Sequence, residues 1–286
     1  VPFTALSSLT KLQALTVSCM GISVSFDDVA QLLQLRTCIL GFRSLLAPDP
    51  ERPQAHLPTG LAQLSKLTAL QHLCLAEWVC PDARPAQELR LTAADCVALT
   101  ATSQLTFLDI SKWQVEPELV GAAFPLKLQL PLLQELHRGP CFVQCPAATA
   151  AVVSAAPNLS TLKVAAVDGL PCESPEHHQA EVLGQVCLQG FEQLTNLQKL
   201  EVDEVRMTDP NMWDVLAQMM QLTELKIELV SFPCLPGILQ LTALTSWQEL
   251  IVNVQNFQDD AFIWGSVRLV SGPLSATEGS AQANSR

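Results

Sequence analysis

The chain has 286 residues, of which 49% are hydrophobic and 15% charged, with a net charge of −12. The apolar share excludes a chain disordered throughout. The acidic balance repels phosphate backbones, which sets nucleic acid aside as a partner. No run reaches the roughly 18 unbroken apolar residues of a membrane-spanning helix; the nearest, residues 147–157, is short, Ala-rich and ends in proline.

Taken in order, the chain repeats one rhythm. Apolar residues recur at steps of three and then at a step of two. The first unit carries Leu6, Leu9, Leu12, Leu15 and Val17, and the second Val29, Leu32, Leu35, Cys38 and Leu40. The third carries Leu61, Leu64, Leu67, Leu70, Leu73 and Leu75, and the fourth Cys96, Leu99, Thr102, Leu105, Leu108 and Ile110. The fifth has Leu130, Leu133 and Leu136 but ends on Arg138. The sixth has Val153, Ala156, Leu159, Leu162 and Val164. The seventh, FEQLTNLQKLEVDEVRM at 191–207, shows the rhythm most fully, and units starting near Leu216 and Leu241 end on Ile227 and Val252. Steps of three suit turns or helices, whereas a step of two puts both residues on one face of a strand. The two-step pair begins at 15, 38, 73, 108, 136, 162, 200, 225 and 250. A spacing near 25 with longer units between is the mark of stacked repeats with insertions. Pro- and Gly-punctuated insertions at 42–60, 78–95 and 168–188 are expected as loops or longer helices.

These units resemble leucine-rich repeats. Residues 12–22 (LQALTVSCMGI), 70–80 (LQHLCLAEWVC) and 197–207 (LQKLEVDEVRM) follow the family's LxxLxLxxNxL phrase, and LTKL, LSKL and LTNL supply its usual approach. The resemblance covers roughly residues 5–257. It implies an α/β fold: a curved leucine-rich-repeat solenoid with short parallel strands on the concave face and helices and irregular turns on the convex face. The expected organisation is a solenoid of about nine repeats over 1–257, a C-terminal cap or last strand over 258–270, and a disordered tail over 271–286. One departure matters. The family's Asn position holds Met20, Trp78, Trp113, Cys141, Val167, Val205, Val230 and Gln255. The composition, rich in Ala, Leu, Gln and Thr, resembles the degenerate repeats of plants and algae, here without the Asn ladder. Turn carbonyls and amides must find other partners, and the stack should be least regular near Val205.

The resemblance places partner binding on the concave face, where the residue inside each two-step pair points. The last three repeats are the most charged there. Lys199, Glu201, Asp203, Glu204, Glu224, Lys226, Glu228 and Glu249 form the expected partner-binding set. It reads either as a mainly acidic patch for a basic protein surface or as a solvated face of cross-strand Lys–Glu pairs. His72 and His137 share the same face as solvated histidines.

Catalytic phrases such as GxxxxGK[ST], HExxH and GxSxG are missing, so no catalytic residue is named and an enzyme is not expected. The ten cysteines form no CxxC framework, and Cys38 and Cys96 stand at core positions, which favours a reducing, cytoplasmic compartment. Cys172, Glu173, Glu176, His177 and His178 cluster, and Cys141 and Cys145 are four apart, but neither spacing suits zinc. No metal or cofactor is expected, and neither nucleic acid nor membrane is an expected partner. The expected role is a protein-binding adaptor. The alternative is the substrate-recognition segment of a larger ubiquitin-ligase or receptor chain. The absence of an initiator Met fits a fragment or processed form.

Overall fold

The structure is a computed structural model. It describes residues 8–20, 26–43, 61–75, 77–78, 89–91, 93–111, 113–115, 129–138, 155–165, 191–205, 212–229, 248–258 and 261–270. The cysteine and histidine groups at 141–145 and 172–178, and the tail at 271–286, lie outside these residues.

Thirteen strands are described: β1 (Ala14–Met20), β2 (Thr37–Arg43), β3 (His72–Cys74), β4 (Glu77–Trp78), β5 (Leu89–Leu91), β6 (Phe107–Ile110), β7 (Trp113–Val115), β8 (Glu135–Arg138), β9 (Thr161–Ala165), β10 (Lys199–Val205), β11 (Glu224–Leu229), β12 (Glu249–Gln258) and β13 (Ala261–Val270). One sheet runs β1-β2-β3-β6-β8-β9-β10-β11-β12-β13, with β4 beside β2. Every pairing from β1 to β12 along this order is parallel, whereas β12 and β13 pair antiparallel. The architecture is the α/β repeat solenoid, one parallel strand per repeat.

The register follows the leucine rhythm. Leu15, Cys38, Leu73, Leu108, Leu136, Leu162, Leu200, Leu225 and Leu250 are successive Cα partners in a single row. Val17, Leu40 and, farther on, Val164, Val202 and Ile227 belong to a second row. Both rows point inward, and nearly all of their described side chains are buried in one continuous core. A slip of one residue in any strand would turn its whole apolar set outward, so each two-step pair fixes its neighbour's register.

The steps of three have an equally local cause. Leu35 N–H donates to Leu32 C=O at 2.8 Å, Leu67 to Leu64 at 2.9 Å, Leu133 to Leu130 at 3.0 Å and Leu197 to Leu194 at 2.9 Å. Each i→i−3 turn brings a leucine round to the inner side before the strand begins. Helices or helical turns at Phe26–Val29, Leu61–Lys66, Ala93–Ala101, Phe191–Gln193 and Met212–Gln218 close the core opposite the strands. Thr102, at a leucine position of the fourth repeat, is fully buried and satisfies its hydroxyl on Leu99 C=O at 2.5 Å.

Some expectations change. Leu9 is 47% exposed rather than buried, because β1 has a neighbour on one side only among the described residues. The 78–95 insertion is not all loop or helix: β5 lies in it and pairs with β7 as a separate two-stranded parallel sheet.

The stack also shows how it manages without Asn in the strand turn. The strands continue through that position, so Met20 pairs with Arg43 and Arg43 with Trp78. The sheet itself thus takes up main-chain groups that an Asn amide would serve. At Val205 the register shifts, with one extra residue in β10 between Val202 and Val205, a bulge of the kind that relieves a strand with a misfitting turn. Amide side chains do form a ladder, but in the turn before the strand. Asn158 Nδ2 donates to Pro131 C=O at 2.7 Å, Asn196 Nδ2 to Pro157 C=O at 2.9 Å and Gln221 Nε2 to Leu194 C=O at 2.8 Å. Beside it, the Thr106, Ser160 and Thr223 hydroxyls donate to the Gln71, Gln134 and Gln198 carbonyls of the preceding repeats. Asn196→Ala should cost about 1 kcal/mol, the net worth of one such bond. A urea midpoint unchanged by that substitution would show that the ladder contributes nothing.

Candidate functional site

The outward positions of the strands form two rows. The first is Ala14, Thr37, His72, Phe107, Glu135, Thr161, Lys199, Glu224 and Glu249. The second is Thr16, Ile39, Cys74, Asp109, His137, Lys163, Glu201, Lys226 and Ile251. Inward and outward positions alternate because side chains of a strand alternate, and the apolar set has already taken the inner side. At the β1 end the outward residues carry no formal charge. At the β12 end almost all do.

On β9, β10 and β11 the charges interlock. Glu201 Oε1 accepts from Lys226 Nζ at 2.6 Å and from Lys163 Nζ at 3.2 Å, one lysine on each neighbouring strand. Burial alone would raise the Glu201 carboxyl, but the two ammonium groups reverse this and hold it below the usual carboxylate range. Lys226 also lies 3.4 Å from Glu228 Oε1, and Lys199 Nζ lies 2.8 Å from Glu224 Oε2. The Glu224 bond raises the Lys199 ammonium above its ordinary value, against the smaller opposing pull of burial. These are cross-strand pairs of the kind that stabilise a sheet face. Glu224 and Glu249 are direct Cα partners, so two carboxylates stand side by side with Lys199 on the near side of Glu224. Lys199, Glu201, Glu224, Lys226, Glu249 and Ile251 line a shallow depression in this part of the face.

Of the eight sequence-predicted contact residues, the structure thus brings together Lys199, Glu201, Glu224, Lys226, Glu228 and Glu249. Asp203 and Glu204 lie on β10, but their side chains fall outside the described residues. Glu201 is the least available of the set: its side chain is 17% exposed and it is committed to two lysines.

A second cluster on β3, β6 and β8 was not anticipated as a unit. The His72 and Phe107 rings stack at 3.9 Å with planes 4° apart, and His137 meets Phe107 edge-on at 5.0 Å. His137 Nε2 lies 2.8 Å from Glu135 Oε1, and Nδ1 lies 3.5 Å from Asp109 Oδ2. Asp109 also accepts from the Ser111 N–H at 3.0 Å and from the Cys74 thiol at 3.6 Å. Burial pulls the His137 imidazole down, but Asp109 and then Glu135 outweigh it and raise its pKa above the ordinary value. Burial would raise Asp109, and the bonds from His137 and Ser111 bring it below its ordinary value. His72 is lowered, by burial first, with the carboxylates of Glu135 and Asp109 opposing. The signal for this cluster was present in the aligned second row, where Asp109, His137 and Lys163 follow one another.

Behind this face Cys38 is fully buried, and burial with nearby Cys74 pushes its thiol up to about 12. It is a neutral core residue. Among the described residues, no group of three or more His, Cys, Asp or Glu side chains is arranged to hold a metal. Among the same residues, no helix is long and apolar enough to cross a membrane.

No protein-family model matches the chain, and no curated protein matches it. Among solved structures, the chain is similar to an internalin from Listeria monocytogenes, at 16% identity and a TM-score of 0.40, over 90% of this chain and 65% of that one.

Proposed function

We propose that this chain is a leucine-rich-repeat recognition scaffold that binds a protein partner on its outward strand face and carries no chemistry of its own. The partner's contacting surface is basic, and the role is that of a cytoplasmic adaptor. The observation that carries the reading is the placement of side chains at the β10–β12 end. Glu224, Glu228 and Glu249 stand together in and beside a shallow depression, on strands whose register is held by the buried leucines. Glu201, Glu224, Glu228 and Glu249 face Lys163, Lys199 and Lys226 here, so the face carries one carboxylate in excess. A rigid sheet that presents fixed charges orients a partner and speeds its encounter. The LxxLxL phrases and the one-strand-per-repeat sheet support the family reading.

The test is partner capture followed by charge reversal. Glu228→Lys with Glu249→Lys changes two rim charges by two units each. Each change is worth about 0.5–1 kcal/mol. Partner affinity should therefore fall about five- to thirtyfold, with the loss shrinking at high salt. Partners captured equally well by the wild type and the double variant, at low salt, would refute an acidic contact surface.

A further inference from the structure

The geometry points to a pH-operated clamp at His137 that sets the charge of the middle of the strand face. Both ring nitrogens of His137 face carboxylates, Nε2 that of Glu135 and Nδ1 that of Asp109. A neutral imidazole has one N–H and one lone pair, so it can satisfy only one of them. The imidazolium, with two donors, satisfies both. The arrangement is therefore built for the protonated ring and joins β8, which carries His137 and Glu135, to β6, which carries Asp109.

The surrounding groups reinforce this. From β6, Phe107 packs edge-on against the ring. From β3, His72 stacks beyond Phe107 and is held toward its neutral form, while the Cys74 thiol donates to Asp109. From β9, Lys163 is the register partner of His137, but its ammonium is drawn the other way, to Glu201 on β10. Two carboxylates thus face His137; Lys163 bonds Glu201, and from β10 the Lys199 ammonium feels the Glu135 charge.

When the proton leaves, the two carboxylates are not equivalent. The Asp109 side chain is 15% exposed and that of Glu135 is 40% exposed. The Glu135 contact is the shorter one, while Asp109 also holds the Ser111 N–H and the Cys74 thiol. The neutral ring can keep an N–H on only one of them. The cluster passes from one carboxylate in excess to two, two strands from Lys199 along the first row.

This inference rests on the proposed basic partner for its consequence, though not for the clamp itself. A basic surface should bind the face more tightly as pH rises through the His137 transition, and protonation should loosen it. One added charge at contact range, partly screened, changes affinity about two- to threefold.

Two measurements test it. The first follows the five histidines by NMR in the intact chain. His137 should titrate above the ordinary imidazole value and His72 below it, and Glu135→Gln should lower the His137 midpoint. A His137 midpoint at or below the ordinary value overturns the clamp. The second measures a lysine-rich peptide across the same pH range at fixed ionic strength. Wild-type affinity should rise two- to threefold, Glu135→Gln should move the rise to lower pH, and His137→Gln should abolish it. A flat wild-type profile overturns the gate. Glu228→Lys with Glu249→Lys in the same assay separates the causes: if that variant weakens the peptide while pH does nothing, the gate alone fails. If neither changes binding, the acidic-face reading fails with it.

Discussion

Leu162→Ala is expected to destabilise the chain by about 2–5 kcal/mol, the range for truncating a buried leucine with partial collapse of the cavity. Leu162 is fully buried in the inner row, between Leu136 on β8 and Leu200 on β10. In a stack, a residue contributes to the interfaces with both neighbours. The loss should therefore spread to the β8–β9 and β9–β10 pairings rather than stay in one repeat. Hydrogen exchange should show amides of all three strands opening together. The control is Leu132→Ala in the turn ahead of β8. Leu132 is exposed, so its change should stay within about 0.5 kcal/mol. Urea midpoints of the two variants that coincide would mean the leucine rows do not carry the fold.

The second large effect falls on Glu201→Lys. The substitution replaces the carboxylate shared by Lys163 and Lys226 with a third ammonium at the centre of the β9–β10–β11 face. Like charges directly opposite on a sheet repel, and the site is half-buried, so screening is incomplete. About 1–3 kcal/mol should be lost, between the values for exposed and buried pairs. Glu201→Gln should cost less, since an amide oxygen still accepts from one lysine. The pH dependence has a definite sign. The folded carboxyl lies below its unfolded value, so its contribution is present above the unfolded pKa and is lost as pH falls through the folded one. Wild type and Glu201→Gln should converge in stability in acid and separate toward neutral pH. His137 acts in the opposite sense. Its folded pKa is raised, so its contribution is full below the unfolded value and is lost as pH rises through the folded one.

The roles of these two residues differ from the simplest reading of the charged face. Glu201 belongs to the ladder that holds the strands' outer side chains in place. Glu224, Glu228 and Glu249 are the better candidates for contact. A binding defect in a Glu201 variant should therefore come with a stability defect larger than that of Glu228→Lys, which loses one pair with Lys226 at 3.4 Å where Glu201 loses two.

The leucine rhythm by itself determined the repeat, the strand positions and the register of the main sheet. It could do so because each element is encoded over a few residues. An i→i−3 turn needs only its own step of three, as between Leu194 and Leu197. A strand's inner face needs only its own step of two, as between Leu200 and Val202. Once each repeat presents the same pair, stacking them leaves one register that buries all of the leucines. An irregularity near Val205 was legible for a similar reason, since the turn residue that would have shaped that position is absent, whereas its form, an extra residue in β10, was not. What the tertiary structure alone decided is which polar residues meet. Lys163 reaches Glu201 across 38 positions and Lys226 across 25, and His137 bridges to Asp109 on another strand. Such pairs depend on rotamers, burial and competition among several charges within reach, and sequence spacing carries none of these. His137 is outward-facing by its place in the rhythm, yet it is held between two carboxylates rather than left as a solvated side chain. The reason is that stacking places one carboxylate against each of its nitrogens.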